Sequence, residues 1–276
     1  MLNVNYKIDV LAINNISLYT NCIIMNNIDK LTWSDVKSTK FDLAILPWGA
    51  TEPHNLHLPY TTDNLLSRAI SLDAATKAEL RGVRSVVLPT IPLGSQNPGQ
   101  TQLMFCLHTR METQKAILQD IVASLHYQGI RRLLIINGHG GNVFNPFVRD
   151  LALDFKDFLI VTSDYFKLVD ANVYFDEPGD HAGELETSLM LHYYPELVKP
   201  GEMYGKGESK QFSIRGLRNR SFWLPRNWKA VSADTGIGNP AAATAEKGKA
   251  YAEAVSQSIA DFLYDFTNTD ISNLYQ

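Results

Sequence analysis

The chain has 276 residues, of which 45% are hydrophobic and 20% are charged, and its formal net charge is −4. These proportions are typical of globular proteins and exclude a fibrous or disordered class. The length favours one large domain over residues 1–276 rather than two independent ones. A chain that is acidic overall lacks the basic field that attracts nucleic acid or an anionic membrane, so we expect a small-molecule substrate.

The two cysteines, Cys22 and Cys106, lie far apart and each within an apolar stretch. This favours reduced thiols over a disulfide framework and therefore a cytoplasmic protein. Residues 1–9 are interrupted by polar side chains and lack the apolar core of a signal peptide. No segment approaches the roughly 20 apolar residues of a membrane span, so we expect no membrane association.

Apolar runs alternate with helical patterns along the first two thirds of the chain. The predicted strands are residues 43–46, 85–91, 133–136 and 158–162, and the predicted helices are residues 65–80, 111–127 and 144–155. This alternation predicts right-handed βαβ crossovers and an α/β fold, in which helices cover both faces of a mostly parallel central sheet. The arrangement is a three-layer α/β/α architecture.

The last third of the chain is less regular. Residues 200–235 show no sustained period, so we expect loops, with a hairpin or a lid as options. Residues 240–266 are rich in Ala, Glu and Lys and predict a long C-terminal helix with Pro240 near its first turn. For the large aromatic residues Trp223 and Trp228 we weigh the core, a lid and a subunit interface.

The loop after the first strand carries the first group of candidate metal ligands. Glu52 and His54 stand two residues apart, so in an extended loop both side chains point to one side. Asp63 follows immediately before a helix, and its two oxygens can bridge two cations. The alternatives are ordinary ones: Asp63 as an N-cap, His54 and His57 as loop histidines bonded to backbone, and Glu52 as a solvated carboxylate.

The second group surrounds His139, which ends the third predicted strand and lies among glycines at positions 138, 140 and 141. Glycines let the backbone approach a ligand closely, so His139 is expected to face the crevice at the strand ends. One alternative is a sharp turn with Asn142 as the N-cap of the next helix. A dinucleotide loop is disfavoured because the glycine spacing does not fit G-x-G-x-x-G.

The third group opens a helix at residues 180–192. Glu184 and Glu186 fall in its first turns, where a carboxylate also favours the positive end of the helix dipole. His192 lies in an apolar stretch and is interpreted as a packed side chain. His181, in the loop before the helix, is the better functional candidate.

Together the three groups resemble the creatininase family. The matching elements are Gly49-Ala-Thr-Glu-Pro-His-Asn-Leu-His-Leu-Pro59 followed by Asp63, Asn137 to Asn142, and His181-Ala-Gly-Glu-Leu-Glu-Thr-Ser188, and residues 236–248 are similar to the family's C-terminal signature. The resemblance covers roughly residues 43–266. It implies a creatininase-like metallohydrolase domain and a homo-oligomer, a hexamer by analogy.

The resemblance also implies the roles of the site residues. Glu52, Asp63 and His139 would hold one divalent cation, and His54 with Asp63 would hold a second. Creatininase completes the second site with a glutamate where this chain has Gly141. Glu186 is expected to replace it, with Glu184 as the alternative, and to take part in catalysis. His181 would act as the general acid.

Carboxylate and imidazole ligands suit zinc first, with manganese or iron as alternatives. The implied activity is that of an amidohydrolase, in which a metal-activated water attacks the carbonyl of a small cyclic or linear amide and the C–N bond is hydrolysed. Creatinine amidohydrolase proper and formamide deformylase are alternatives within the family. From other classes we keep a non-catalytic metal-binding sensor and a nicotinamide-dependent enzyme.

Several departures from the family pattern concern the substrate. Ala50 replaces the usual serine, and Pro53 and Asn55 replace the usual glutamine and glycine on either side of His54. Residues 94–101 keep a Pro-Gly-x-Thr core but lack the histidine that many relatives place before it. The loop at residues 165–179 contains Tyr and Phe but none of the tryptophans that close the creatininase pocket, which disfavours creatinine itself.

Overall fold

The computed structural model describes residues 26–275, within which four strands form one parallel sheet. Cys22 and residues 1–9, which enter the predictions above, lie outside the described residues. The strands are β1 (Leu43–Trp48), β2 (Ser85–Val87), β3 (Arg132–Asn137) and β4 (Leu159–Asp164), in the spatial order β2-β1-β3-β4. All neighbouring strands pair in parallel, with Ala44 opposite Leu133 and Leu133 opposite Ile160.

Both faces of the sheet are buried. In β1, Leu43 and Ile45 point into one hydrophobic cluster, whereas Ala44, Leu46 and Trp48 point into another. This alternation follows from the two-residue period of a strand. A strand with two buried faces reads as a continuous apolar run, which is the pattern that predicts it from sequence.

Helices cover each face. The longer helices are α1 (Thr62–Glu79), α2 (Met111–Tyr127), α3 (Asn145–Asp154), α4 (Glu184–Tyr193) and α5 (Ala245–Asn268). Helices α1, α4 and α5 supply the first cluster, and α2 and α3 supply the second. The predicted three-layer α/β/α fold with a parallel central sheet is therefore confirmed.

Some predicted boundaries were wrong. Helix α5 begins at Ala245 rather than near Pro240, because the hydroxyl of Thr244 accepts a hydrogen bond from the backbone N–H of Lys247 and caps the helix there. Strand β2 ends at Val87, and the chain beyond it rejoins the sheet only through an isolated bridge between Trp48 and Ile91.

The irregular region at residues 200–235 contains single helical turns at Gly201–Met203, Arg215–Arg218 and Trp228–Val231. An isolated antiparallel bridge between Ser209 and Ser232 takes the place of the optional hairpin. The two tryptophans differ: Trp228 is buried, while Trp223 is 84% exposed. Across residues 26–275, no helix has both the length and the apolar character needed to cross a bilayer.

Candidate metal centre

The loop that leaves β1 folds back on itself and buries two of the predicted ligands. The N–H of Glu52 donates to the carbonyl of Tyr60 at 3.0 Å, and His54 forms a bridge with Leu58. Asn55 has a φ of 55°, a left-handed conformation in which Asn and Gly are favoured. This explains why Asn can replace the family's Gly there. Glu52 and His54 are almost fully buried as a result.

Asp63 lies within the first turn of α1, one residue after its start at Thr62, so the N-cap alternative is wrong. Its carboxylate instead faces two histidines. Oδ1 lies 2.9 Å from Nε2 of His54, and Oδ2 lies 3.2 Å from Nδ1 of His139. One carboxylate therefore connects the loop after β1 with the loop after β3.

His139 follows β3 through Gly138, where an added Cβ would lie 2.6 Å from the carbonyl oxygen of Asp63. That close approach requires glycine and brings the histidine against helix α1. Nδ1 of His139 also lies 2.9 Å from Oε1 of Glu52. The alternative that makes Asn142 an N-cap is wrong, because α3 begins later, at Asn145, and the Asn142 side chain bonds backbone groups of neighbouring loops.

The two glutamates at the start of α4 have different surroundings. Oε1 of Glu186 lies 4.0 Å from Nε2 of His54, and its Oε2 accepts a hydrogen bond from the N–H of Ala182 at 2.5 Å. Glu184 is fully buried away from this cluster, where it pairs with Lys247 at 2.5 Å and accepts from the N–H of Glu177. Glu186, rather than Glu184, therefore faces the predicted ligands.

His181 lies beside the same group. Its Nδ1 is 3.7 Å from Oε1 of Glu52, and its ring centroid is 4.2 Å from that of His54. The edge of its ring meets Trp228, with centroids 5.2 Å apart. His192, by contrast, lies near the end of α4, where its ring contacts Tyr193, so it does not belong to the cluster.

His54, His139 and His181 share one pattern of hydrogen bonds. Nδ1 of His54 lies 3.0 Å from the carbonyl of Glu52, Nε2 of His139 lies 2.8 Å from that of Ser95, and Nε2 of His181 lies 2.9 Å from that of Pro53. Because a carbonyl can only accept, the nitrogen that faces it carries the hydrogen. The other nitrogen of each ring points at a carboxylate, as in metal-binding histidines.

Burial and charge act against each other at these groups. Burial alone would lower the pKa of His54, but Asp63 and Glu186 raise it to about 10. Burial would likewise lower the pKa of His139, but Glu52 and Asp63 raise it above its usual value. Conversely, burial would raise the pKa of Asp63, but His54 and His139 hold it below its usual value. The negative charge of Glu52, Asp63 and Glu186 therefore favours a positive charge between these side chains.

The donor set fits divalent cations. Three groups of side chains bring ligand atoms within 4.8 Å of one another: Glu52 with Asp63 and His139, His54 with Asp63 and Glu186, and Glu52 with His54 and His181. Oδ2 of Asp63 is buried and, among the described residues, has no hydrogen-bond donor of suitable geometry, which is costly for a carboxylate unless a cation neutralises it. The first two groups share Asp63.

Sequence reasoning did not identify some neighbours of this cluster. Gln100 donates from Nε2 to Oε2 of Glu52 at 2.5 Å and is buried. It belongs to the Pro-Gly-x-Thr segment, which was the available signal. The contact between Trp228 and His181 has no local signal, because residues 47 positions apart meet only in the fold.

Comparisons with known proteins show which proteins this chain resembles. The family model described as creatininase, creatinine amidohydrolase, matches residues 29–263. The creatinine amidohydrolase of Pseudomonas putida is 28% identical over 62% of this chain and 73% of the relative. The mycofactocin precursor peptide peptidase of Mycobacterium ulcerans is 27% identical over 89% of this chain and 94% of the relative.

Solved structures that superimpose on this chain carry the same kind of name. A Bacteroides fragilis protein named as a candidate creatinine amidohydrolase superimposes with a TM-score of 0.88 at 48% identity, covering 92% of this chain and 99% of that one. A creatininase superimposes with a TM-score of 0.74 at 26% identity, covering 89% and 99%. Fold and relatives together define an amidohydrolase, a hydrolase that acts on C–N bonds. The chain belongs to the creatininase family.

Proposed function

We propose that this chain hydrolyses the C–N bond of a small amide at a centre that holds two divalent cations. One cation would be held by Glu52, Asp63 and His139, and the other by His54, Asp63 and Glu186. The observation that carries the proposal is the position of Asp63, whose two oxygens face a different histidine each, at 2.9 and 3.2 Å. A carboxylate with two free-standing oxygens can bind two adjacent cations at once.

Cations at these positions would polarise the substrate carbonyl and lower the pKa of an attacking water. Zinc is the first expectation, with manganese or iron as alternatives, because all the ligand atoms are imidazole nitrogens and carboxylate oxygens. Solved relatives support the choice: one creatininase variant is described as the Zn-Zn type and another creatininase as the Mn form. The thiol of Cys106 is in none of the donor groups formed by the described residues.

His181 would supply the proton that the departing nitrogen needs. Its Nε2–H is held by the carbonyl of Pro53, so Nδ1 is the atom that carries and releases the catalytic proton. Glu52 lies 3.7 Å from that atom and would stabilise the protonated ring. Glu186 would keep one oxygen at the cluster, because the N–H of Ala182 holds the other.

Creatinine is the less favoured substrate within this proposal. The glutamate that creatininase carries at the position of Gly141 has no room here, because a Cβ would lie 2.1 Å from the carbonyl oxygen of Ser95. The aromatic residues of the 165–179 loop pack into the core: Tyr165 and Phe175 are buried, and Phe175 contacts Tyr251. They do not offer the pocket wall that tryptophans provide in creatininase.

The experiment combines metal content with turnover. Protein purified without added metal is analysed for bound metal, then assayed for amine or ammonia release from creatinine, formamides, small cyclic amides and short peptides. About two ions per chain with turnover of an amide supports the proposal. Protein that binds ions but turns over none of these substrates, yet is stabilised by one of them, supports the sensor instead. Protein that stays metal-free and inactive after zinc, manganese and iron are supplied contradicts both.

The same proposal includes a single creatininase-like domain over residues 1–276, a cytoplasmic location, which the two separated cysteines favour, and a homo-oligomer, by analogy with the family. Light scattering after size-exclusion chromatography measures the assembly directly, and a monomer at all concentrations contradicts it.

A further inference from the structure

A strongly basic segment borders the metal centre of this acidic chain. Residues 206–229 contain seven lysines and arginines and one glutamate, a net charge of +6, so the other residues together carry −10. Such an asymmetry concentrates positive potential on one part of the surface. The proposed hydrolysis of an amide does not by itself require this.

The three arginines in the middle of the segment are exposed and have no ionic partner within residues 26–275. Arg215, Arg218 and Arg220 form no ion pair with any carboxylate among the residues that the structure describes. Arg226, in contrast, pairs with Asp180 at 2.6 Å. A guanidinium offers a planar pair of donors suited to a carboxylate, so these three side chains are available for an anionic ligand.

Large apolar side chains stand beside these arginines. Phe222, Trp223 and Leu224 are consecutive and are 72%, 84% and 51% exposed. Phe222 packs on Gly216, where an added Cβ would lie 2.6 Å from its ring. The chain therefore folds back on itself here and leaves the Trp223 side chain in solvent. Exposed Trp and Arg together are typical of residues that dominate binding interfaces. We call residues 213–224 the basic lobe.

The basic lobe connects directly to the metal centre. Leu224 is four residues before Trp228, and the guanidinium of Arg226 lies 4.9 Å from the Trp228 ring. Trp228 in turn contacts His181. The basic lobe therefore leads along the chain into the residues that contact the histidine proposed as the proton donor.

We propose that the basic lobe binds an acidic polypeptide segment, and that this segment belongs to the substrate. The inference rests on the proposed amidohydrolase function and names its substrate class: a peptide with carboxylate and apolar side chains near the amide that is cut. A peptide fits because one molecule supplies carboxylates for the arginines, apolar groups for Trp223 and a C–N bond for the metal centre. The hydrolysis itself adds water across that bond and gives a carboxylate and an amine.

Binding is tested separately from activity. The probe is a fluorescein-labelled decapeptide of glutamate, leucine and phenylalanine, measured by fluorescence anisotropy, with a matched peptide in which glutamine replaces glutamate. The variant Arg215→Gln/Arg218→Gln/Arg220→Gln removes the lobe's exposed charges. The control variant Arg149→Gln/Lys156→Gln/Lys249→Gln removes the same charge from exposed residues elsewhere.

The acidic peptide is expected to bind more tightly than its glutamine counterpart, with an affinity that falls as salt rises. The lobe variant should weaken binding roughly tenfold and the control variant should leave it unchanged. Turnover of a small neutral amide should be equal in all three proteins. Because the anisotropy measurement does not require catalytic activity, the binding result can be interpreted even if the hydrolase proposal fails.

Other outcomes overturn the inference. Equal binding by the lobe variant, or equal binding of both peptides, removes the lobe as an acidic-peptide site. If the lobe variant instead changes the mass measured by light scattering, the lobe is a contact with a second copy. Tighter binding of a single-stranded oligonucleotide or of vesicles containing phosphatidylserine assigns the lobe to a different partner.

Discussion

Nε2 of His57 lies 2.8 Å from Oγ1 of Thr187, and this contact joins the loop that carries Glu52 and His54 to the helix that carries Glu186. Burial, and the charge of His54, lower the pKa of His57 to about 4, so the ring is neutral at physiological pH. Its other nitrogen is buried and has no hydrogen-bond partner among residues 26–275. The hydrogen bond to Thr187 is therefore the one polar contact that the His57 ring makes in the described part of the chain.

The first prediction concerns this link. Thr187→Val should weaken the cation site that includes Glu186 about tenfold, because groups behind a ligand fix its position. Metal affinity is measured by titrating a chelator against the loaded protein. Thr187→Ser should restore it, and His192→Gln, on the same helix but outside the cluster, should have no effect. Equal affinities in wild type and Thr187→Val would show that the link is only structural.

The second prediction separates the two cation sites. Asp63→Asn should reduce bound metal from about two ions to none, since its carboxylate faces both groups of ligands. Glu186→Gln should leave about one ion, because it belongs to one group alone. Glu184→Gln is the matched control, since this side chain pairs with Lys247 instead. Elemental analysis of each variant decides it, and loss of metal in Glu184→Gln would reverse the assignment of the two glutamates.

The third prediction concerns the glycines beside His139. Gly141→Ala would place a Cβ 2.1 Å from the carbonyl oxygen of Ser95 and 2.5 Å from Nε2 of His139, which disrupts the bond between them. We expect lost activity and a destabilisation of about 1–3 kcal/mol. Gly140→Ala meets nothing within 4 Å and should behave as wild type. Denaturant unfolding and the amide assay test both variants, and a fully active Gly141→Ala would contradict the geometry.

The fourth prediction concerns pH. In the metal-free protein the pKa of His54 is raised from 6.5 to about 10, so its proton stabilises the folded state fully below pH 6.5. This contribution is lost as pH rises through about 10. A bound cation takes the proton's place, so the loaded protein should not show the same loss. Melting temperatures of chelator-treated and metal-loaded protein across this range test it, and parallel curves would count against it.

Much of the fold was predictable because both faces of the sheet are buried. The run Leu43 to Leu46 predicted a central strand, and helix α2 begins and ends where its apolar period indicated. The start of α5 was missed because Pro240 indicates the beginning of a helix less strongly than the N-cap residue Thr244 does. Strand β2 was overextended because an apolar sequence continues past the last ladder pair.

The site was predictable as a set of residues but not as an arrangement. Their grouping on one short loop indicated that Glu52, His54 and Asp63 are candidate ligands. In the structure they lie together with His139. Spacing could not choose between Glu184 and Glu186, since both lie in the first turn of α4. The choice depends on Lys247, which lies 63 residues further along the chain and forms an ion pair with Glu184. The roles of these residues in metal binding and catalysis stay predictions.

The three imidazole rings are oriented by the carbonyl oxygens of Glu52, Pro53 and Ser95. A carbonyl belongs to the main chain, so it is present whichever side chain occupies the position. Replacing Pro53 or Ser95 by another residue that keeps the backbone path would leave the acceptor in place. The path of the backbone thus sets the orientation of the ligand rings. The side chains at positions 53 and 95 can therefore change during evolution without leaving a recognisable motif.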